Sequence, residues 1–242
     1  MMKHKKEIND GVAEFAQSLS NSKQFRHDYP ISDELRKVLV SEVFSDLVKF
    51  SFKHHYPGNH LLLEEYVDEH YPREEKRVAL EHNLLWWQML YNASQHFEMN
   101  FIESYISANH QKLNNKPLII SWLREWKKAL PKFYYVGYKY NDRVLVLMDM
   151  LSTETLDVIV YDSLAIPPKK GEIVMGTLIP LGDALYFPII DFYHFDIAAS
   201  QEIARHVNSS FDRHLKTSTH LESFIHILSE VLQIERMNYL KN

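Results

Sequence analysis

The chain of 242 residues contains no cysteine. That absence removes disulfides, thiolate catalysis and every cysteine-ligated zinc or iron–sulfur site. Glycine is scarce too, with six in the whole sequence. Few positions can take a positive φ without strain, so a largely helical chain with tight connections is predicted. No uncharged apolar run approaches the ~18 residues of a membrane-spanning helix. The N-terminal stretch MMKHKKEINDGVAEFAQ starts basic but has no apolar core and no small-residue cleavage site, so no signal peptide is expected. The expected setting is the cytoplasm. Also missing are G-x-S-x-G, a P-loop and G-x-G-x-x-G, which leaves the standard hydrolase, NTPase and dinucleotide readings without support.

What is present is ordinary globular composition with an aromatic surplus: 45% hydrophobic, 24% charged and 13% aromatic residues, at a formal net charge of −5. Net negative charge disfavours a protein built chiefly to grip a phosphate backbone.

Helical periodicity opens the chain. Leu35, Leu39, Val43, Leu47 and Phe50 predict a helix over 33–52, capped by Ser32 and ended by Tyr56-Pro57-Gly58. A short helix over 61–69 follows. Pro72 fits the first position of a long helix reaching Ala93, whose apolar face carries Val78, Leu85, Trp86, Met89 and Leu90. Further helices are predicted over 99–110 and 118–130. The stretch Phe133 to Asp196 reads differently, as about five short apolar runs separated by turn residues, with Asn141-Asp142 and Thr153-Glu154 as two-residue turns. After Asp196 two helices return, the second opened by the capping box Thr219 to Glu222.

The expected fold class is α+β: an N-terminal helical bundle, a small five-stranded antiparallel β-module of SH3-like or OB-like barrel form, and two C-terminal helices. The expected division is an α-helical domain at 1–130, the β-module at 131–196, and a helical pair at 197–242 packing on the rest.

Two resemblances fall inside the β-module. Gly171-Glu172-Ile173-Val174-Met175-Gly176-Thr177-Leu178 resembles the strand that opens S1-type RNA-binding OB folds, although here the strand lies fourth and no stacking aromatics follow it directly. Residues 134–187 are similar to a β-module of uncharacterised bacterial proteins that often carry the SEC-C metal motif. That motif needs cysteines, so the resemblance implies neither an activity nor metal binding of that type.

Three clusters are candidates for function. Arg124, Lys127, Lys128, Lys132, Tyr134 and Lys139 form a basic-aromatic stretch of the kind that tracks phosphates and stacks bases. The rest of the module opposes it with two lysines against eight acids between residues 144 and 196. His54, His55, His60, Glu64 and Glu65 supply ligand types suited to zinc, iron or manganese, without any defined motif spacing. A third set pairs Glu202 with His206 and Glu222 with His226 at i, i+4, with Asp212, His214 and His194 nearby. Each cluster has a plainer reading as a solvated charged face.

The leading expectation is a cytoplasmic accessory or regulatory protein that binds a macromolecular partner, most readily a protein, with no catalysis and no cofactor of its own. The alternatives are a metal-dependent hydrolase using the 54–70 cluster and single-stranded nucleic-acid binding through residues 124–143. A homodimer is a further expectation. Trp86 and Trp87 point about 100° apart on one helix, so one of them is expected to be left for an interface.

Overall fold

A computed structural model describes residues 17, 23–54, 56–91, 101–214, 216 and 219–241. Ala93 and Met99, expected helix ends, lie outside the described residues. Helix α1 (Asp33–Lys37), a π-helical segment (Val38–Val43) and α2 (Phe44–His54) form one run. Ser32 caps it as expected, its Oγ accepting from the Leu35 N–H at 3.2 Å. Pro57 starts the next element and does not merely break the chain: α3 spans Tyr56–His70, with proline just inside its start, where no N–H is needed. The long helix α4 (Glu74–Tyr91) begins two residues after Pro72, because Tyr71 takes φ 47° and turns the chain first. Helices α5 (Phe101–Ala108), α6 (His110–Leu113) and α7 (Pro117–Glu125) follow, and α7 tightens into a 3-10 turn at Trp126–Lys128.

Six strands come next: β1 (Pro131–Lys139), β2 (Val144–Asp149), β3 (Thr155–Ile159), β4 (Ile173–Gly182), β5 (Leu185–Pro188) and β6 (Tyr193–His194). The first three are an antiparallel meander. Its two turns are wider than two residues, because side chains hold them open. Asn141 Oδ1 accepts from the Arg143 and Val144 N–H groups, and Asp149 Oδ1 accepts from Leu151 and Ser152. Strand β1 pairs with β2 on one edge and β4 on the other, while β3 pairs with β5, so the order β1-β2-β3-β5-β4 closes on itself. The β3–β5 ladder is parallel. A closed five-stranded barrel with a long, doubly paired first strand is the OB-like form of the two expected. Its interior holds Tyr134, Val136, Leu145, Leu147, Val158 and Val174. Helices α8 (Ile197–His214) and α9 (His220–Lys241) complete the chain.

Helix α4 lies between two apolar clusters. Trp86 packs with Phe101, Trp122, Trp126 and Phe187 on one side. Trp87 packs on the other, against the cluster that joins β1 and β4 to α8 and α9. Adjacent tryptophans that cannot share one stripe thus each pack on a core of their own, Trp86 buried and Trp87 partly buried. Val78, expected in the core, is 56% exposed. The C-terminal helices dock on the barrel through Phe224, whose ring stacks on Phe133 with centroids 5.0 Å apart.

Candidate functional site

Strand alternation decides what the barrel shows to solvent. With Tyr134 and Val136 inside, Tyr135 faces out, opposite Met148, which pairs in turn with Thr155. The bulge between Val136 and Tyr138 absorbs Gly137 and keeps Tyr138 outside, opposite Val146, whose β3 partner is Asp157. Tyr135, Tyr138 and Tyr140 are 38%, 52% and 65% exposed. The last two rings meet edge to face at 5.1 Å. This outer face of β1, β2 and β3 carries tyrosines and apolar side chains, whereas the outer side chains of β4 and β5 are buried beneath helices.

The basic residues expected to form a nucleic-acid groove are engaged with carboxylates. Arg124 and Lys127 both bind Glu103, Lys128 binds Glu125, Lys132 binds Asp149 and Lys139 binds Asp142. Tyr134 is inside the barrel at 2% exposure. Of the 54–70 cluster, His55 and the side chain of His60 lie outside the described residues. The His54 ring packs on Phe50 at 4.6 Å, and Glu64 and Glu65 lie on α3. Among the described residues no group of three or more histidines and carboxylates is arranged to hold a metal.

His206 pairs with a carboxylate other than Glu202, whereas Glu222 accepts from Thr219 and also feels the charge of His226. His206 Nε2 meets Glu230 at 2.6 Å, and Glu230 also faces His214 at 3.6 Å. Glu202 accepts instead from Asn238. His194 Nδ1 lies 3.0 Å from Glu172 Oε2.

A cleft of about 530 Å³ opens between the α1–α2 run, α4 and the barrel end. Val40, Phe44, Val48 and Phe52 line one wall, four residues apart along the helical run. The opposite wall includes Val78 and Trp86, and Asp191 lies between this cleft and an adjoining one of about 450 Å³. Buried Asn83 on α4 fixes that carboxylate's segment: its Nδ2 donates to the Asp191 carbonyl and to Ala79 O, both at 2.8 Å. Burial, helped by the charge of Asp162, pushes the Asp191 carboxyl above its ordinary range.

Sequence reasoning missed this cleft because its residues come from four separated segments. The one available signal was polar Lys76 and Asn83 interrupting the apolar pattern of a core helix. Comparison with known protein families, with curated proteins and with solved structures finds no match to this chain.

Proposed function

We propose that this is a binding protein of the cytoplasm, an accessory or regulatory factor that engages a protein partner through the outer face of β1, β2 and β3. The observation that supports this reading is the exposed row of Tyr135, Tyr138 and Tyr140 beside Val146 and Met148. Tyrosine gives large, rigid contact area with a polar tip, the chemistry that anchors interfaces. Asp157 lies in the same face, and the nearby lysines are already engaged with carboxylates. That charge pattern favours a polypeptide over a phosphate backbone. Among the described residues no helix is long and apolar enough to cross a membrane.

Single-stranded nucleic acid is the second reading, motivated by the paired Tyr138 and Tyr140 rings on an OB-like barrel, where bases stack on such platforms. A photo-crosslinking residue placed at position 138 or 148 in cells tests both. Protein binding predicts one discrete protein adduct at these positions, lost on Tyr135→Ala and absent from the exposed control position 197. A nucleic-acid adduct would transfer the assignment to the second reading. Equal labelling at position 197 would end the first.

A further inference from the structure

Val78 and Phe52 leave 56% and 49% of their surface in water on facing walls of the α4 cleft, and Ile166 and Tyr161 add 62% and 40% at its rim. Four large apolar side chains converging on one opening is more than scattered surface exposure produces. The volume of about 530 Å³ lies within the ~300–1,000 Å³ of small-ligand pockets.

The charges that line the two compartments are mostly engaged with one another. Arg73 binds Glu75 and Asp196. Lys76 binds Asp196 and Glu235, and Glu172 binds His194. The half-buried Asp191 carboxylate forms no ion pair and accepts no hydrogen bond among the described residues; the charges of His194, Arg143 and His82 act on it only from beyond ion-pair distance. The Asp162 carboxylate at the same opening accepts, among the described residues, from the Leu164 N–H alone. The Lys169 ammonium is exposed to water and forms no ion pair among the described residues. The unmet demand on the cleft side is therefore for positive charge.

A second observation points the same way. Glu172 accepts from the Lys169 N–H at 2.8 Å as well as from His194. Burial works to raise this carboxyl, and the two hydrogen bonds outweigh it, leaving it below its ordinary value and ionised. The bond to Glu172 orients the His194 ring. Nε2 is buried without a partner, and His194 lines the same compartment as Asp191. The site thus offers an anionic acceptor beside an apolar slot, with an unpartnered imidazole nitrogen in the same compartment.

We propose that this cleft binds a small amphipathic primary amine, its ammonium group on Asp191 and its apolar body between Phe52, Val78 and Tyr161. An ammonium carries its charge and three donors on one atom, which suits a carboxylate without a direct donor. A carboxylate ligand would meet Asp191 and Asp162 as like charges. An alcohol would donate once and leave the charge of Asp191 unanswered.

The test uses the full-length protein, labelled with nitrogen-15, and titrates 3-phenylpropylamine against 3-phenylpropanol and 3-phenylpropanoate at neutral pH. The amine is expected to saturate, to shift resonances of residues 75–82 and 189–194, and to bind at least about tenfold more tightly than the alcohol. The carboxylate should bind least. Asp191→Asn should bring amine and alcohol to equal affinity without changing the melting temperature. If that variant does not fold, salt decides on the natural protein: amine affinity must fall with ionic strength while alcohol affinity does not. Equal binding of amine and alcohol, preference for the carboxylate, shifts centred elsewhere, or no saturation at about 10 mM would each overturn the proposal. The cleft shares no residue with the tyrosine face of β1 to β3, so failure here leaves that reading standing.

Discussion

Lys76 Nζ lies 2.5 Å from Glu235 Oε1, joining the start of α4 to the C-terminal third of α9 at a point where both side chains are about nine-tenths buried. The pair is one part of a connected set. Lys76 also binds Asp196 at 2.8 Å. Glu235 further accepts from the Tyr193 hydroxyl at 2.6 Å and from the Asp196 N–H at 2.7 Å. Burial, reinforced by the negative Glu235, drives the Tyr193 hydroxyl well above its ordinary value, so it stays a donor. Lys76→Met should therefore cost more than its own contacts, because it strands Glu235 with no cation. We expect a loss of about 3–5 kcal/mol, read from urea unfolding. Lys76→Met with Glu235→Gln should recover much of it; a double variant as unstable as the single one would show that the charges are not coupled.

Gly182 and Gly171 both take positive φ, at 96° and 85°, but their surroundings differ. A Cβ on Gly182 would come within 2.6 Å of Ile31 Cγ2 and 2.8 Å of Tyr29 O, whereas at Gly171 the nearest atom is 3.9 Å away. Gly171→Ala carries the backbone strain alone, about 1 kcal/mol. Gly182→Ala adds a clash with backbone that cannot move aside, so a loss of at least about 2 kcal/mol is expected. Thermal melts of the two variants under identical conditions check this order, and equal melting temperatures would contradict it.

The order of elements was readable because apolar period changes along the chain: near 3.6 from Asp33 to Trp126, near 2 from Phe133, and near 3.6 again from Ile197. The capping box at Thr219 was readable for the same local reason, and Glu222 does bond back to the Thr219 N–H at 2.9 Å. Barrel closure was harder to see. It depends on β1 pairing with β4 between residues such as Tyr135 and Ile173, far apart in the chain, information that no local window contains. The basic stretch from Arg124 misled because periodicity places a lysine on a surface but does not reveal a distant acid. Glu103, which binds both Arg124 and Lys127, comes from another helix. The α4 cleft was hidden for a related reason. Asp191 looks like one more turn residue until Asn83, 108 positions away, is seen holding its carbonyl.

Acid should act on Asp149. Burial of this carboxyl works to raise it, and the bonds from Lys132, Leu151 and Ser152 outweigh that effect, holding it below its ordinary 3.8. A carboxyl depressed in the folded state stabilises the fold above its unfolded value of ~3.9, and that contribution disappears as pH falls through the lower folded value. Stability should thus drop below about pH 4, and Asp149→Asn should flatten that limb while lowering stability at neutral pH by about 2–3 kcal/mol. The control is Asp142, exposed and paired only with Lys139. The Asp142 carboxyl is also held low by Lys139, but water screens it, so Asp142→Asn should change the acid limb far less, and a profile for Asp149→Asn that matches the natural protein would refute the assignment.

Tyr134 and Tyr138 stand four residues apart on one strand and should answer opposite questions. The Tyr134 ring fills the barrel interior at 2% exposure, while the Tyr138 ring is 52% exposed on the outer face. Tyr134→Ala removes a buried aromatic and leaves a cavity, so a loss of about 3–5 kcal/mol is expected. Tyr138→Ala with Tyr140→Ala removes surface rings whose main contact is with each other, so stability should change by no more than about 0.5 kcal/mol. Partner crosslinking from position 148 should nevertheless fall severalfold in that double variant. The two measurements separate a face retained for folding from one retained for binding. If the double variant melts as early as Tyr134→Ala, the outer tyrosines support the barrel. If it melts normally and crosslinks as before, the contact surface lies elsewhere on the chain.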